Sequence, residues 1–378
     1  DALPIYKMGN TRGDDIVLDL FKEKIEGAID IGTSSIKALK LKKSKIELFD
    51  LKELKHGTIV NGGIEDYLEV TEELKVLINN LDLKNKEIVV SIPIQNFFIK
   101  FFQIMDVTEN ERRVLIENEL EDLVPNFNPE EFVTDYVDLG QSDIVSSESE
   151  GNQINVMAMT IPKNKINELV EILTTLKVKP VRIVPDFVSI FNLVQMEKEF
   201  LGIEENESVM IVDIGSESTK IFFERAGEFK FYRIVSLGGN DITSIIERFY
   251  NIDRERAEEE KRKLELLTEK DTYSDEDKEV FKEIEDLINE LEDSIKISVD
   301  YYKAQENAPQ IDRVFFTGGS TLLKGFKQII EKDFDVEIEN IDIARYFSHS
   351  MDEEELEEFP AQRVAALIGN VITEVSLK

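Results

Sequence analysis

Near its start the chain reads Gly27-Ala28-Ile29-Asp30-Ile31-Gly32-Thr33-Ser34-Ser35. A second stretch repeats the pattern as Val209-Met210-Ile211-Val212-Asp213-Ile214-Gly215-Ser216-Glu217-Ser218. In both, a short apolar run leads into Asp-Ile-Gly and hydroxyl residues, and residues of alternating polarity follow. This order predicts a strand, a tight turn and a second strand. The sequence therefore predicts the same β-hairpin twice, once in each half of an anciently duplicated chain.

The tip of each predicted hairpin is suited to binding an anion. Glycine and Ser/Thr at a tip present backbone N–H groups and hydroxyls, which bind phosphate. The carboxylate just before the tip, Asp30 or Asp213, could hold Mg²⁺ through water, because Mg²⁺ keeps much of its hydration shell. Two such hairpins could clamp one polyphosphate between two half-molecules.

Composition narrows the class of protein. At 378 residues the chain is too long for one ordinary core, so two or more domains are expected. Lys and Arg total 45 against 79 Asp and Glu, and the net charge of −34 repels nucleic acid and anionic lipid. The chain has no cysteine and two histidines, so neither disulfides nor a histidine-based metal site are expected. No apolar run is long enough to span a bilayer, and we expect a cytoplasmic protein without a transmembrane segment.

Hydrophobic periodicity and turn signals divide the chain. Among the predicted elements are a helix over 108–123 with a capping box from Thr108 and Glu111, a helix over 322–334 and a final apolar helix over 363–375. Residues 16–25 predict a short amphipathic helix. The predicted divisions are an N-terminal arm over 1–27, a first domain over 28–96 and 181–207, an inserted subdomain over 97–180, and a second domain over 208–378 with a charged helical region at about 241–305.

Three further motifs in the second half suit a nucleotide. Glycines at 238–239 and in Gly318-Gly319-Ser320 let backbone approach a flat ligand or a phosphate closely. Glu258 and Lys261 lie three apart, so they share one helix face and could hydrogen-bond two ribose hydroxyls. Taken singly, such motifs are usually turns, connections or solvated ion pairs. Their order and spacing together are specific.

This order resembles the superfamily of actin, the sugar kinases and the heat-shock chaperone ATPases. Within it, the chain is similar to the PilM family of type IV pilus assembly, from about residue 16 to the end. The segments that carry the resemblance are Leu18-Asp19-Leu20-Phe21-Lys22, the hairpin Ala28 to Lys37, Val89-Val90-Ser91-Ile92-Pro93, Glu117 to Pro125, Asp135-Tyr136, Arg233, Gly238-Gly239 and Ala257-Glu258 to Lys261.

The resemblance implies an α/β, actin-like (ribonuclease H-like) two-domain fold with an FtsA-type inserted α+β subdomain, and ATP and Mg²⁺ as ligands. It implies that Asp30 and Asp213 face Mg²⁺. The implied nucleotide-binding residues are Gly32, Thr33, Ser34, Ser35 and Lys37 in the first hairpin, Gly215, Ser216, Glu217 and Ser218 in the second, Gly238 and Gly239, Glu258 and Lys261 at the ribose, and Gly318, Gly319 and Ser320 at the adenosine.

The resemblance also implies a cytoplasmic scaffold of the inner-membrane pilus assembly complex, held at the inner face of the membrane by its partners. One partner would be a PilN-like membrane protein, whose N-terminal cytoplasmic tail enters a groove beside the inserted subdomain; other inner-membrane pilus assembly proteins would complete the complex. The aromatic strand with Phe97, Phe98 and Phe101 is a candidate wall of that groove. Alternatively, these side chains alternate between core and cover.

Hydrolysis and the competing functions depend on fewer residues. Asp186, after Pro185, stands near where the superfamily places a residue that orients the attacking water, but a helix-capping role is favoured for it, so slow hydrolysis or none is expected. One alternative is a small-molecule kinase, which would need a clear catalytic aspartate beside a polar pocket. Another is an FtsA-like membrane-tethered filament protein, which would need a C-terminal amphipathic helix where the chain reads Val375-Ser376-Leu377-Lys378.

Overall fold

A computed structural model describes residues 25–43, 45–141, 152–266, 275–306, 310–334, 336–347 and 361–372. Nearly all of the predicted N-terminal arm, with its helix over 16–25, lies outside these residues. The strands are β1 (Gly27–Ile31), β2 (Ser35–Leu41), β3 (Ile46–Glu53), β4 (Ile59–Val60), β5 (Gly63–Ile64), β6 (Glu87–Ile92), β7 (Phe98–Met105), β8 (Phe132–Gln141), β9 (Gln153–Pro162), β10 (Lys179–Pro185), β11 (Ser208–Ile214), β12 (Thr219–Arg225), β13 (Glu228–Val235), β14 (Arg313–Thr317) and β15 (Glu337–Glu339). The helices are α1 (Tyr67–Asn80), α2 (Glu109–Leu123), α3 (Lys163–Thr175), α4 (Asp186–Leu201), α5 (Gly239–Tyr250), α6 (Arg254–Lys263), α7 (Asp275–Glu306), α8 (Phe326–Phe334) and α9 (Ala361–Gly369).

The chain forms two compact units. Among the described residues, unit 1 contains those up to Ser189 together with 346–347 and 366–372, and unit 2 contains those of 190–345 and 361–365. The sequence-based division placed 181–207 in the first domain and 208–378 in the second, whereas the two units meet after Ser189 and again near the end of the chain. The physical reason is that α4 and α9 each begin in one unit and end in the other.

The two units contain sheets of the same topology. In unit 1 the strand order is β10-β6-β1-β2-β3, and in unit 2 it is β15-β14-β11-β12-β13. Each central strand, β1 or β11, pairs antiparallel with the strand that follows it and parallel with a strand from later in the chain. Every residue of both central strands is buried, as expected for strands covered on both faces. The predicted duplication is therefore visible in the topology as well as in the sequence.

The predicted insertion forms a separate three-stranded antiparallel sheet in the order β7-β9-β8. Helix α2 packs on one face of it, and its Ile116 and Leu120 share a small apolar core with Ile104 of β7. At the start of α2 the Glu111 carboxylate accepts hydrogen bonds from Thr108 N at 3.1 Å and from the Thr108 hydroxyl at 2.6 Å. The Glu111 carboxylate thus makes the predicted hydrogen bonds to Thr108, and these bonds fix where α2 begins.

Helix α7 buries one long apolar stripe against the sheet of unit 2. Its buried residues recur every three or four positions: Val280, Ile284, Ile288, Leu291, Ile295 and Val299. This spacing places them on one face of the helix. Within the part of the chain that the structure describes, no helix is long and apolar enough to cross a membrane.

Two predicted helices have different boundaries in the structure. The helix predicted over 322–334 is a 3₁₀ turn over Gly319–Leu322, and then α8 begins at Phe326. Gly325, between them, has φ of +88°, which a right-handed helix cannot contain. The final helix runs over Ala361–Gly369 rather than 363–375, and 373–378 lie outside the described residues.

The end of α9 is joined to unit 1 by buried polar contacts. The Asn370 amide nitrogen donates to Ser91 Oγ at 2.8 Å and to Ile29 O at 3.3 Å, and its oxygen accepts from the Ser189 hydroxyl at 2.6 Å. Beside it, a Cβ on Gly369 would lie 1.9 Å from Ser189 O. Only a glycine therefore lets α9 approach the first turn of α4 so closely.

We expect Gly369→Ala to destabilise the protein by about 1–3 kcal/mol, because the added methyl group must displace the backbone of α4. Alanine would otherwise be favoured in a helix. Urea unfolding measures the change. Gly319→Ala is the matched control, because a Cβ there would have Arg363 Cγ 3.7 Å away as its nearest neighbour. Equal stability of the two variants would contradict the close approach.

Candidate functional site

A buried carboxylate lies at the end of the central strand of unit 1. Asp30 is 4% exposed, and its two oxygens have different partners. Lys37 Nζ lies 2.7 Å from Oδ2, and Ser91 Oγ donates to Oδ1 at 2.8 Å. Strand register brings them together, because Lys37 is the antiparallel partner of Asp30 on β2 and Ser91 its parallel partner on β6.

Unit 2 repeats this arrangement. Asp213 is 6% exposed, Lys220 Nζ lies 2.7 Å from its Oδ2, and Thr317 Oγ1 donates to its Oδ1 at 3.0 Å. Lys220 and Thr317 are again the antiparallel and parallel partners of the aspartate. Sequence reasoning did not assign Lys220, Ser91 or Thr317 to the site. The available signal was the spacing, since a lysine follows the aspartate by seven residues in both hairpins.

Both hairpin tips have the predicted tight form. Gly32 N donates to Ser35 O at 3.0 Å, and Gly215 N donates to Ser218 O at the same distance. Ser35 and Ser218 are buried, whereas the tip residues between each glycine and serine are at least partly exposed. Thr33, Ser34, Ser216 and Glu217 are therefore the tip residues that a ligand can reach.

In unit 2 the structure brings the second hairpin and the two glycine motifs together. Gly215 O accepts hydrogen bonds from Gly239 N and from Ser320 Oγ, both at 3.0 Å. Ser216 O accepts from Asn240 N at 2.7 Å. The first amides of α5 therefore bind the carbonyl groups of the hairpin tip and fix its conformation.

The glycines of these motifs are needed for packing. A Cβ on Gly238 would lie 2.6 Å from Ser216 O, and one on Gly318, whose φ is +88°, would lie 2.2 Å from Ile214 O. Their N–H groups donate within the protein, Gly238 to the Asp241 carboxylate and Gly318 to Gln362 O. The sequence suggested that these glycines admit a ligand; the structure shows that they first admit neighbouring backbone.

Glu258 and Lys261 do share one face of α6, and they pair at 2.7 Å. Lys261 Nζ also donates to Gly239 O at 3.2 Å and to Thr243 Oγ1 at 2.8 Å, and Thr243 bonds to the Glu258 carboxylate as well. Thr243, on α5, is fully buried and was missed by sequence reasoning, because a threonine inside a helix has no distinctive pattern. Its hydroxyl connects α5 to the ion pair.

Burial changes the ionisation of this pair. Desolvation lowers the pKa of Lys261, and its attraction to Glu258 only partly offsets the effect. Desolvation also opposes ionisation of Glu258, but the Lys261 ammonium and the hydrogen bonds from Lys261 and Thr243 outweigh it, so the pKa of Glu258 is lowered. The carboxylate is therefore held in its charged, hydrogen-bond-accepting form.

An apolar pocket borders the same cluster. It reaches the glycine motifs at Gly238 and Ser320, and the rest of its lining is aliphatic or aromatic: Ile214, Leu237, Ile242, Leu287, Ile288, Leu291, Leu323 and Phe326. Polar backbone and side-chain groups thus lie directly beside an apolar surface. The pocket itself is small: its volume of about 20 Å³ is room for roughly one water molecule.

The remaining sequence-predicted residues lie elsewhere in unit 1. The buried Asp186 carboxylate accepts a hydrogen bond from Ile94 N at 3.1 Å, which ties the start of α4 to the turn after β6. Phe97 is buried, and Phe98 packs against Phe132 with ring centroids 6.3 Å apart. Phe101 is 38% exposed, the most exposed of the three predicted partner-binding phenylalanines.

The donor atoms present fit a nucleotide better than they fit a resident metal ion. Across the described residues, no group of three or more Asp, Glu, His or Cys could hold a metal. Asp30 and Asp213 each already accept from an ammonium and a hydroxyl. A role for them toward Mg²⁺ is therefore limited to contact through water with an ion that arrives on a ligand.

Comparison with known proteins places this geometry in a family. The family described as "Type IV pilus assembly protein PilM" matches residues 28–368. The chain is 21% identical to a protein in the "PilM-PilN type IV pilus biogenesis complex", with a TM-score of 0.76, covering 93% of this chain and 99% of that one. No curated protein sequence matches significantly.

More distant structures share the fold. The ethanolamine utilization protein EutJ from Carboxydothermus hydrogenoformans matches with a TM-score of 0.51 at 14% identity, over 92% of this chain and 89% of EutJ. MreB 5 of Spiroplasma citri, bound to AMPPNP, matches with a TM-score of 0.50 at 13% identity, over 92% and 95%. The expected actin-like fold is confirmed.

The buried hydroxyl of Thr243 should contribute measurably to stability. We expect Thr243→Val to lower the free energy of unfolding by about 1–3 kcal/mol, because the Glu258 carboxylate and the Lys261 ammonium each lose their hydrogen bond with the Thr243 hydroxyl. Ser244→Ala is the matched control, since its hydroxyl makes the same bond to the carbonyl four residues back but is exposed. Denaturant unfolding of both variants measures the difference, and equal losses would contradict the role of Thr243.

The lowered pKa of Glu258 gives a pH dependence of known sign. A carboxyl whose pKa is lower in the folded state stabilises the protein above its unfolded value, about 4.3, and loses that contribution as the pH falls through the folded value. The stability difference between the wild type and Glu258→Gln should therefore be constant above about pH 5 and shrink below about pH 4. Urea unfolding across this range measures it. A difference that grows in acid would contradict the pairing.

Proposed function

Because the chain belongs to the PilM family of type IV pilus assembly proteins, we propose that it is an ATP-binding scaffold which captures the tail of a membrane partner. Its place would be the inner face of the cytoplasmic membrane, where a PilN-like protein and other inner-membrane pilus assembly proteins hold it. Family membership favours this function over the FtsA-like tether and the small-molecule kinase considered from the sequence.

One observation carries the nucleotide part of the proposal. In unit 2, four segments that lie far apart in sequence meet at Gly215, Gly239, Lys261 and Ser320. They combine a hairpin tip, a cation beside a carboxylate and an apolar surface, whose small pocket would have to widen to admit a base. A nucleotide has a matching set of parts: phosphates, a ribose with two hydroxyls and a flat base.

Each part of ATP would then have its own residues. Exposed groups of the hairpin tips, including Thr33, Ser34 and Ser216, and the Lys37 ammonium would bind phosphate oxygens. Glu258 and Lys261 would bind the ribose hydroxyls, and the segment Gly318-Gly319-Ser320 would lie against the adenosine. Mg²⁺ bound to the phosphates would reduce their charge, and Asp30 and Asp213 would contact its water shell.

We propose that hydrolysis is slow. A fast actin-like ATPase needs a polar group that orients the attacking water. The candidate, Asp186, is only 8% exposed and already binds the Ile94 amide. ATP would therefore act mainly by favouring one state of the protein, which it can do only if it binds that state more tightly.

The partner part of the proposal concerns the edge of the inserted sheet. Strand β7 is an edge strand, and Phe101 and Met105 on one of its faces are 38% and 46% exposed. An edge strand offers unpaired backbone groups, and exposed apolar side chains beside it give an extended peptide something to pack against. Phe98 faces the other way, onto the core shared with α2, so it is not suited to contact a peptide.

The test is a calorimetric titration with a peptide of the PilN-like cytoplasmic tail from the same genome, with and without Mg-ATP. We expect saturable binding, weakened at least tenfold by Phe101→Ala, which removes an exposed contact. A change in peptide affinity on adding Mg-ATP would show that the two ligands are coupled.

The matched control is Val114→Ala, which shortens a 56% exposed apolar side chain on α2 of the same subdomain. It should bind the peptide as the wild type does. If neither nucleotide state binds the peptide, the scaffold function is contradicted. If Val114→Ala weakens binding as much as Phe101→Ala, the location on β7 is contradicted.

A further inference from the structure

Both hairpins carry an ammonium group in the same position. Lys37 and Lys220 each follow the aspartate by seven residues, pair with it across the strands and lie 2.7 Å from its Oδ2. Lys37 is among the nucleotide-binding residues of the proposed function. Lys220 has the same environment, but no role has been assigned to it.

The position of Lys220 cannot be explained by solvation. Its side chain is 10% exposed, about as buried as that of Lys37 at 12%. An ordinary surface lysine extends into water, whereas the Lys220 ammonium lies against the Asp213 carboxylate directly across the hairpin. Lys220 neutralises the charge of Asp213. That alone does not explain why both charges are present, because a neutral residue at position 213 would need no buried cation beside it.

The surrounding groups favour an anion beside this ammonium. Gly215 and the partly exposed Ser216 and Glu217 form the tip directly above the Asp213–Lys220 pair. The N-terminus of α5 lies there too, but its first amides bind the tip carbonyls and the Asp241 carboxylate accepts from Gly238 N, so the ammonium has to supply the attraction. A chain with a net charge of −34 repels polyphosphate elsewhere, so fixed cations at the site are needed to attract it.

We propose that Lys220 is a second phosphate-binding ammonium, which donates to a nucleotide phosphate at the tip of the unit 2 hairpin while Asp213 holds it in place. This rests on the proposed function, because it takes ATP as the ligand. It gives the Asp-Ile-Gly hairpin one design in both units: a glycine tip, an ammonium below it and a carboxylate that positions the ammonium.

The experiment compares the ATP affinity of two variants that share the change Asp213→Asn and differ only at position 220. Asp213→Asn keeps the ammonium, and Asp213→Asn/Lys220→Met removes it as well. Calorimetric titration with Mg-ATP should give roughly ten- to a hundredfold weaker binding for the double variant than for Asp213→Asn, the effect of losing one charge-assisted hydrogen bond. Lys230→Met is the control, because Lys230 pairs with Glu228 on β13 of the same sheet.

The outcomes separate the two proposals. Wild type that does not bind Mg-ATP contradicts the proposed function and this inference with it. Wild type that binds, with equal affinities for the single and double variants, overturns the role of Lys220 and leaves the proposed function intact. If Asp213→Asn alone abolishes binding, Lys220→Gln and Lys220→Arg are compared instead, with thermal melting to confirm that both variants are folded. Lys220→Arg should retain ATP binding and Lys220→Gln should lose it. Equal ATP affinities of these two variants would overturn the inference.

Discussion

Burying a carboxylate at the end of each central strand is the constraint from which the rest of the structure follows. An unpaired carboxylate there would cost several kcal/mol, and removing the partner of a buried ion pair typically costs about 3–5 kcal/mol. The protein meets this cost through strand register, with a lysine opposite on the antiparallel neighbour and a hydroxyl opposite on the parallel one. In each unit, the identities of three neighbouring residues on three adjacent strands are therefore fixed by this one carboxylate.

Much of this architecture was predictable because it is local in sequence. Strand and helix periodicity, the Asp-Ile-Gly repeat and the capping signal at Thr108 all lie within a few residues of the feature they specify. The contacts that complete the sites, in contrast, join residues that are far apart in sequence or lie on different helices. Ser91, Thr243 and Asn370 are small polar residues whose partners lie far away or on another helix, and nothing in their neighbours marks them. Lys220 was recoverable, because its spacing matches that of Lys37.

The glycine motifs show that one sequence pattern can have two physical reasons. The sequence assigned Gly238, Gly239 and Gly318 to ligand contact, and the structure does bring them to the candidate site. However, Gly238 and Gly318 are required first by backbone that approaches too closely for a Cβ, and Gly239 by the Ser320 side chain. The N-terminus of α5 donates to the hairpin tip rather than to open space, so the shape of the tip depends on the helix. Residues that hold a loop in shape and residues that touch a ligand have the same sequence signature here.

The contact of Asn370 with Ser91 and Ile29 has a consequence for synthesis on the ribosome. Strands β1 and β6 of unit 1 are translated early, but Asn370, the residue after α9, follows all the described residues of unit 2. At typical elongation rates of about 5–20 residues per second, the roughly 270 residues between β6 and α9 take on the order of tens of seconds. Throughout that time the nascent first unit has its central strands but not the amide that closes over Ser91. Most of unit 2, residues 190–345, is thus translated as one stretch before unit 1, although begun first, is complete.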